Sequence, residues 1–411
     1  MKIDIPETLR EIADYLSSPV YVVGGYVRNF LLYGPSKSTD IDICGSLTPE
    51  EIKEQLAGKA KVKDVSPRIG TILIINKGAA YEYTTFRKDS YPIGGVHTPK
   101  TVTFVSSISD DYKRRDFTVN AIYADAKTGE IIDLCGGMKD LSSKIIRTAR
   151  NPEETFDEDG LRLLRLVRFA SELGFEIDET TYEVAKKFAN RLADITIERK
   201  RQELDKILYS DFKYGLENRA SVGLKIISDL GLWQYFLKTV NLEEYYDEEK
   251  FRNILDESSK SARLIVFALV LTNSDETAIT EIFSRSGLRY PNATVKQIQT
   301  ARAFLSIDNE ADDMAFVARN RAYIELLDEV ARSFGVEKRA DDIYRKMVAL
   351  GLPFEYKDLN ITEKDFVDYD VDPAKRGKIL ERITRICYED NRVLSREEKL
   401  ELLQRLKGEK L

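Results

Sequence analysis

Between Val20 and Cys44 the chain reads VYVVGGYVRNFLLYGPSKSTDIDIC. No other stretch limits the fold as much. Val20-Tyr21-Val22-Val23 is a β-branched and aromatic run, the composition of a buried strand. Gly24-Gly25 breaks it. Val27, Phe30 and Leu31 then share one helical face with Arg28 on the other, and Tyr33-Gly34-Pro35 closes the helix. Thr39-Asp40-Ile41-Asp42-Ile43 alternates strictly, so a period of two puts Asp40 and Asp42 on one face and Ile41 and Ile43 on the other.

Two carboxylates on one strand face repel each other. Hard oxygen ligands so placed suit Mg²⁺, which binds through one or two carboxylates plus substrate phosphates. Such metals clamp the attacking and leaving oxygens in phosphoryl or nucleotidyl transfer. Gly24 and Gly25 allow close backbone approach and present amide donors at a helix start, where a triphosphate would sit. A lone Asp-x-Asp is more often a solvated strand face, and a lone Gly-Gly turn is equally weak. Their closeness on a strand, turn, helix, strand unit is what makes the pair specific.

A chain of 411 residues has room for two to four compact units. Its net charge of -7 argues against bulk affinity for nucleic acid while leaving room for local basic patches. Cys44, Cys135 and Cys387 lie far apart without metal-ligand spacing, so a reducing cytoplasm is the expected compartment. No signal pattern marks the N-terminus, and the longest apolar run, Leu264–Leu271, is too short to span a bilayer. The single histidine, His97, excludes a histidine-cluster metal site.

In chain order, Ile5–Leu16 reads as a helix and Glu50–Leu56 as a crossover helix. Thr71–Ile75 and Tyr81–Phe86 read as strands joined by the Asn76-Lys77-Gly78 turn. Glu82 could fall beside the Asp pair or be a solvated strand carboxylate. Arg87–Lys100, RKDSYPIGGVHTPK, reads as a loop returning into a strand at Thr101–Val105.

Asp110–Ala124, DDYKRRDFTVNAIYA, is the second informative stretch. Arg114 and Arg115 can neutralise phosphate. Asp116 can accept from a ribose hydroxyl, with Asn120 expected on the same helix face. Alone, this would be an ordinary charged helix start. Ile131–Arg147 then gives a strand, a Gly-Gly turn and a connector out of the sheet.

Thr155–Phe175, TFDEDGLRLLRLVRFASELGF, is predicted as one helix. Thr155 would cap it, Asp157, Glu158 and Asp159 would fill its first turn, and Gly174 would end it. Leu163, Leu166, Val167, Ala170 and Leu173 form its apolar stripe. The bland reading is an amphipathic helix with ion pairs. The sharper one is a base-reading edge. Asp159 accepts from the exocyclic amine of cytosine or adenine and Arg162 donates to the adjacent ring nitrogen, while guanine and uracil present the opposite polarity. Arg165 and Arg168 continue the polar side.

GGYVRN, the DID pair, RRDFTVNA, DLCGGMKDL and EDGLRLLRLVRFA resemble, in order and spacing, the motifs of class II tRNA nucleotidyltransferases, the CCA-adding enzymes, a family shared with bacterial poly(A) polymerases. Ile197–Leu208, IERKRQELDKIL, is similar to that family's last helical motif. The resemblance covers roughly the first half of the chain. It implies an α+β fold: a nucleotidyltransferase head with a mixed five-stranded sheet over residues 1–147. A helical neck with the base-recognition helix would follow at 148–210, then a helical body at 211–305 and a tRNA-binding helical tail at 306–411. It implies Asp40 and Asp42 as catalytic metal ligands for Mg²⁺, and Gly24, Gly25, Arg28, Arg114, Arg115, Asp116 and Asn120 around triphosphate and ribose. Asp159 and Arg162 would read the base, with Arg165 and Arg168 behind them.

Three departures stand out. Asn29 follows the Val-Arg pair where the family usually has Asp, which keeps hydrogen-bonding capacity and loses a charge. The loop carries GGVHTP where many members have more arginine, and in that family the loop governs the switch to A addition. One histidine cannot build the phosphohydrolase domain that some members append.

From Glu198 onward the chain reads as almost entirely helical, with breaks near Asn218, Asn273-Ser274, Gly287–Pro291, Asp308–Asp313 and Gly351–Pro353. Phe251–Leu271 reads as core. Arg285, Arg289, Lys296 and Arg302 are each more often solvated; together they could hold a tRNA elbow by shape and phosphate contacts. The expected function is template-independent addition of C and A from CTP and ATP to a tRNA 3′ end. A poly(A) polymerase, or an enzyme adding only CC or only A, is the nearest alternative. A non-catalytic RNA-binding relative and a small-molecule nucleotidyltransferase come from other classes. Deleting Ile93–His97 is expected to impair A addition more than C addition.

Overall fold

The computed structural model describes residues 1–35, 41–90 and 101–409. Asp40 and the loop segment 91–100 lie outside the described residues. The chain divides into two compact units, Met1–Glu248 and Glu249–Leu411. The division falls within the 211–305 segment.

The first unit opens with α1 (Glu7–Tyr15), which leads into β1 (Val20–Val23), α2 (Gly25–Tyr33), β2 (Ile41–Gly45) and α3 (Pro49–Gln55). Three strands follow: β3 (Lys61–Ser66), β4 (Thr71–Asn76) and β5 (Ala79–Thr85). A separate two-stranded ribbon, β6 (Arg87–Ser90) with β7 (Thr101–Phe104), flanks the 91–100 segment. Then come α4 (Ile108–Asp111), β8 (Ile122–Asp125), β9 (Ile131–Asp133) and α5 (Gly137–Ser143).

The main sheet has the order β3-β4-β5-β2-β1-β8-β9. Only β2 and β5 pair in parallel, so the sheet is mixed as expected. It has seven strands among the described residues, not five. The two that the sequence patterns did not mark are β3 and β8, while β9 falls where a strand was expected from Ile131. β3 is polar and largely exposed, so its sequence carries no strong strand pattern. β9 is only three residues long. Edge strands bury one flank at most and need little apolar surface.

The inner strands β1, β2, β4 and β5 match their sequence patterns, whereas β8 lies in the stretch read as a charged helix start. Val20, Val22 and Val23 are buried in β1; in β2 Ile41 and Ile43 are buried while Asp42 is exposed. The hairpin between β4 and β5 turns at Lys77 and Gly78, both with positive φ (49° and 89°), the pairing a tight two-residue turn needs. α3 begins with a reciprocal Thr48–Glu51 capping box.

The expected helix at Thr155–Phe175 is two helices. α6 (Pro152–Glu158) is capped by the Asn151 side chain, with Pro152 at its first position, so Asn151 and not Thr155 is the cap. Asp159 is extended (φ -145°, ψ 99°), and α7 (Leu161–Leu173) starts anew after Gly160. A Cβ on Gly160 would lie 2.2 Å from the Arg191 carbonyl oxygen, so a close backbone crossing sets the break. The expected stripe of α7 is buried, and Gly174 ends it in the left-handed conformation (φ 65°). Next are α8 (Glu179–Lys187), α9 (Ile197–Leu208), α10 (Asp211–Tyr214) and α11 (Arg219–Asp229), of which α9 and α11 pack on α7.

The second unit is helical. Helix Arg263–Leu271 is buried along nearly its whole length, and Phe251, Phe267, Phe283 and Tyr290 form a continuous aromatic row through that core. A further core gathers Met314, Met347, Ile379, Ile383, Cys387 and Leu403. Helix breaks fall at Asn273-Ser274 and Gly351, all with positive φ.

Candidate active site

The last residue of β1 is followed by Gly24 (φ 78°), and α2 starts at Gly25. The turn brings the start of α2 over β2. A Cβ on Gly24 would stand 3.8 Å from Asp42 Oδ2, so the glycine backbone faces the carboxylate. Asp42 sits opposite Val23 of β1 and beside Glu82 of β5. Burial, and then the Asp42 charge, push the Glu82 carboxyl above its usual range.

Around this point opens a cleft of about 430 Å³. It is lined by Gly24, Gly25, Arg28, Asp42, Arg114, Arg115, Asp116, Asn120, Asp159, Arg162, Arg165 and Arg168. Every site residue expected from sequence is therefore here except Asp40, which lies outside the described residues. Arg87, Asp89, Phe169 and Lys213 complete the lining. The carbons of the Arg28, Arg165 and Arg168 guanidinium groups lie 5.3, 5.3 and 4.3 Å from the Phe169 ring centroid.

Asp116 and Asn120 do not share a helix face. Asp116 precedes a short 3₁₀ turn at Thr118–Asn120. The two still meet, because Asn120 Nδ2 donates to Asp116 Oδ1 at 3.2 Å. The Phe117 amide donates to the same oxygen at 2.8 Å, and Arg165 Nε donates to Oδ2 at 2.7 Å. The Ala149 amide holds the Asp116 carbonyl at 3.0 Å.

Arg114 and Arg115 are fixed from below by Asp111, whose side chain is wholly buried. Arg114 Nε donates to Oδ1 at 2.8 Å; Arg115 Nη2 and the Tyr123 hydroxyl donate to Oδ2 at 3.1 and 2.8 Å. Burial works against the Asp111 charge, but the two guanidinium groups and these bonds keep its carboxyl below the usual range. Asp111 is a hub that sequence reading passed over as one more charge at a helix start.

Asp159 Oδ1 accepts the Leu161 amide at 2.9 Å, which fixes the carboxylate at the head of α7. Arg162 is 3% exposed. Its Nη1 donates to Thr155 O at 3.0 Å and its Nη2 to Arg114 O at 2.9 Å, while Nε lies 3.9 Å from Asp159 Oδ2. The two side chains therefore face one cleft, though from a helix break and not from one continuous turn. Behind them, burial and then the neighbouring Arg165 lower the pKa of Arg168, which pairs with Glu203 at 3.1 Å.

A second pocket, of about 370 Å³, lies wholly in the second unit. Its arginines are matched by acids: Arg385 with Asp312 at 2.8 Å and Arg319 with Glu381 at 3.7 Å. It lacks the cationic excess of the first cleft.

A family model described as the poly A polymerase head domain matches residues 20–147. One described as "Probable RNA and SrmB- binding site of polymerase A" matches residues 174–242. A CCA-adding enzyme of Ligilactobacillus salivarius is 33% identical over 400 residues, 95% of this chain and 93% of that one. The chain belongs to the CCA-adding enzyme family. A CCA-adding enzyme of a Geobacillus species is 30% identical over 357 residues, 85% of this chain and 83% of that one. The crystal structure of the Bacillus stearothermophilus CCA-adding enzyme in complex with CTP superposes with a TM-score of 0.75 at 26% identity, covering 97% of both chains.

Within this member of the CCA-adding family, the lining residues that sequence reading missed are Arg87, Asp89 and Lys213, outside the family motifs, and Phe169, inside one. Lys213 comes from α10 and reaches Glu172 of α7 at 2.7 Å. Arg87 belongs to the base of the β6–β7 ribbon and reaches Asp89 at 3.0 Å. Phe169 stands inside a quoted motif but reads there as part of a helix interior. Among the described residues, no helix is long and apolar enough to cross a membrane.

Proposed function

We propose that this chain adds C and A to tRNA 3′ ends, taking CTP and ATP as substrates and no nucleic-acid template. One observation carries the reading: the Gly24-Gly25 turn, Asp42, Asp116 and the Asp159–Arg162 pair line a single cleft.

In this reading a nucleoside triphosphate lies with its phosphates against the Gly24-Gly25 backbone, Arg28, Arg114 and Arg115, where amide donors and guanidinium groups meet anionic oxygens. Asp116 and Asn120 hold the ribose. The base meets Asp159 as acceptor and Arg162 as donor, the polarity shared by cytosine and adenine. Arg165 and Arg168 support this edge. The tRNA 3′-hydroxyl attacks the α-phosphorus, a new P–O bond forms, and the bond to the β-phosphate oxygen breaks to release pyrophosphate. Positioning and charge neutralisation supply most of the acceleration in such reactions.

Asp42, with Asp40, would hold Mg²⁺, and Glu82 stands beside Asp42. Two features support the fit: Asp42 is exposed at the cleft, and its charge helps to raise the neighbouring Glu82 carboxyl, a repulsion that a divalent cation relieves. The acidic pair with substrate oxygens would make up the donor set. Bound there, the ion would lower the barrier to deprotonating the 3′-hydroxyl and neutralise the leaving pyrophosphate. The helical segments 211–305 and 306–411 would hold the tRNA body, with the base-recognition helix in 148–210 and the catalytic head in 1–147. Three free cysteines, two of them buried, support a cytoplasmic setting.

The test uses purified protein, a tRNA lacking its CCA, and each labelled nucleotide in turn, with and without Mg²⁺. Incorporation of C, then of A only after C, is expected. Runs of A from ATP alone would instead identify a poly(A) polymerase, and no transfer with any nucleotide would overturn the reading.

A further inference from the structure

We propose that Tyr214 is a positioning residue of the nucleotide site: with Asn29, its hydroxyl holds the Arg28 guanidinium at the cleft. The inference rests on the reading of this cleft as a triphosphate site.

Arg28 projects from the first turn of α2 and is 3% exposed. Its Nη1 donates to Asn120 Oδ1. Its Nη2 donates to Asn29 Oδ1 at 3.0 Å and to the Tyr214 hydroxyl at 3.1 Å, and its Nε donates to Asn29 Oδ1 at 3.2 Å. The Tyr214 hydroxyl in turn donates to Asn29 Oδ1 at 3.1 Å. Arg28, Asn29 and Tyr214 thus close a three-membered ring of hydrogen bonds. The Tyr214 ring also stacks on Tyr33, centroids 5.4 Å apart and planes at 26°. Tyr33 ends α2, so one tyrosine engages both ends of that helix.

The chemistry explains why this chain uses a hydroxyl here. Asn29 offers Arg28 a neutral amide oxygen, a weaker acceptor for a guanidinium than a carboxylate. The Tyr214 hydroxyl supplies a second acceptor for Nη2 and, by donating to Oδ1, fixes which way the amide oxygen points. A guanidinium binds phosphate oxygens along fixed directions, so its orientation affects how strongly it grips them. Without the hydroxyl, Arg28 keeps its bond to Asn120 and its place near Phe169 but loses one of the restraints on its plane.

Tyr214→Phe removes the hydroxyl and keeps the ring on Tyr33. The dissociation constants of CTP and ATP are measured by calorimetry in the absence of tRNA. Both are expected to rise about three- to tenfold, the size of one lost hydrogen bond. KM should rise by the same factor, with kcat changed about twofold or less. The thermal midpoint should stay at the wild-type value. Adding Asn29→Asp to Tyr214→Phe gives Arg28 a charged acceptor and is expected to restore most of the affinity. Unchanged dissociation constants in Tyr214→Phe, or no recovery in the double variant, would overturn the proposal. If the wild type binds CTP but transfers nothing to tRNA, the proposed function fails while the positioning role is still decided by these constants. If the wild type binds neither nucleotide, both fail.

Discussion

Arg165 grips the Asp116 carboxylate with two nitrogens on one oxygen: Nε donates to Oδ2 at 2.7 Å, and Nη2 donates to the same atom. Burial alone would raise this carboxyl, but Arg165, the Phe117 amide and Asn120 outweigh it and bring it from 3.8 down to about 2. A carboxyl with a depressed folded-state pKa contributes stability that is present above the unfolded value and lost as the pH falls through the folded one. The window therefore runs from about pH 4 down to about pH 2, and the contribution is about 2 kcal/mol. Asp116→Asn is expected to flatten the pH dependence of stability across that window, measured as urea midpoints from acid to neutral pH. A wild-type slope in the variant would contradict this assignment.

Asp42 is exposed on its strand and bears no core packing. Asp42→Ala is therefore expected to leave the unfolding free energy, read from urea titration, within about 0.5 kcal/mol of wild type, as for surface substitutions generally. Nucleotide incorporation should fall to background. Normal turnover by a confirmed Asp40→Ala/Asp42→Ala double variant would sink the metal assignment.

Asp159 and Arg162 are buried, and both line the cleft. Replacing either with Ala is expected to cost about 1–3 kcal/mol of discrimination between C or A and the other two bases. The reading is incorporation of all four nucleotides into tRNA ending at the discriminator base. Either UTP and GTP gain relative to CTP and ATP, or CTP and ATP binding is lost. Wild-type rate and selectivity in both variants would leave α7 as packing alone.

Gly160 tests the break that aims this pair. Its φ of -61° suits any residue, so the constraint is contact and not backbone strain. A methyl group there would meet the Arg191 carbonyl at 2.2 Å. Gly160→Ala should destabilise the first unit by about 1–3 kcal/mol, as overpacking does. It should also loosen base selectivity, because the chain must shift between Asp159 and Arg162. A neutral urea midpoint together with unchanged selectivity would show that the crossing yields freely.

Much of the cleft was legible because its residues come in short runs whose local pattern is strong. Alternation around Asp42 and the Gly24-Gly25 break need only neighbours in sequence. The break at Asp159-Gly160 was not legible, since an apolar stripe from Leu163 to Leu173 extends naturally backwards and the obstacle is Arg191, far along the chain. Asp116 and Asn120 were read as helical from their spacing; the 3₁₀ turn brings them together just as well, so the contact was right and its geometry wrong. Lys213 and Tyr214 gave no signal, because each is a single polar residue on a four-residue helix that matters only through Glu172 and Arg28. The edge strand β3 was missed for the opposite reason, having too little burial to leave a pattern.

The cleft holds eight basic side chains, Arg28, Arg87, Arg114, Arg115, Arg162, Arg165, Arg168 and Lys213, within a chain of net charge -7. Such a contrast funnels small anions inward, and its reach shrinks with ionic strength. The same attraction acts on whatever leaves. If the cleft takes a triphosphate, it also holds pyrophosphate, a compact polyanion that fits the same guanidinium groups. Departure of this by-product then becomes a slow step that salt accelerates, and an accumulating pool of it drives the chemistry backwards, stripping nucleotides from the finished end.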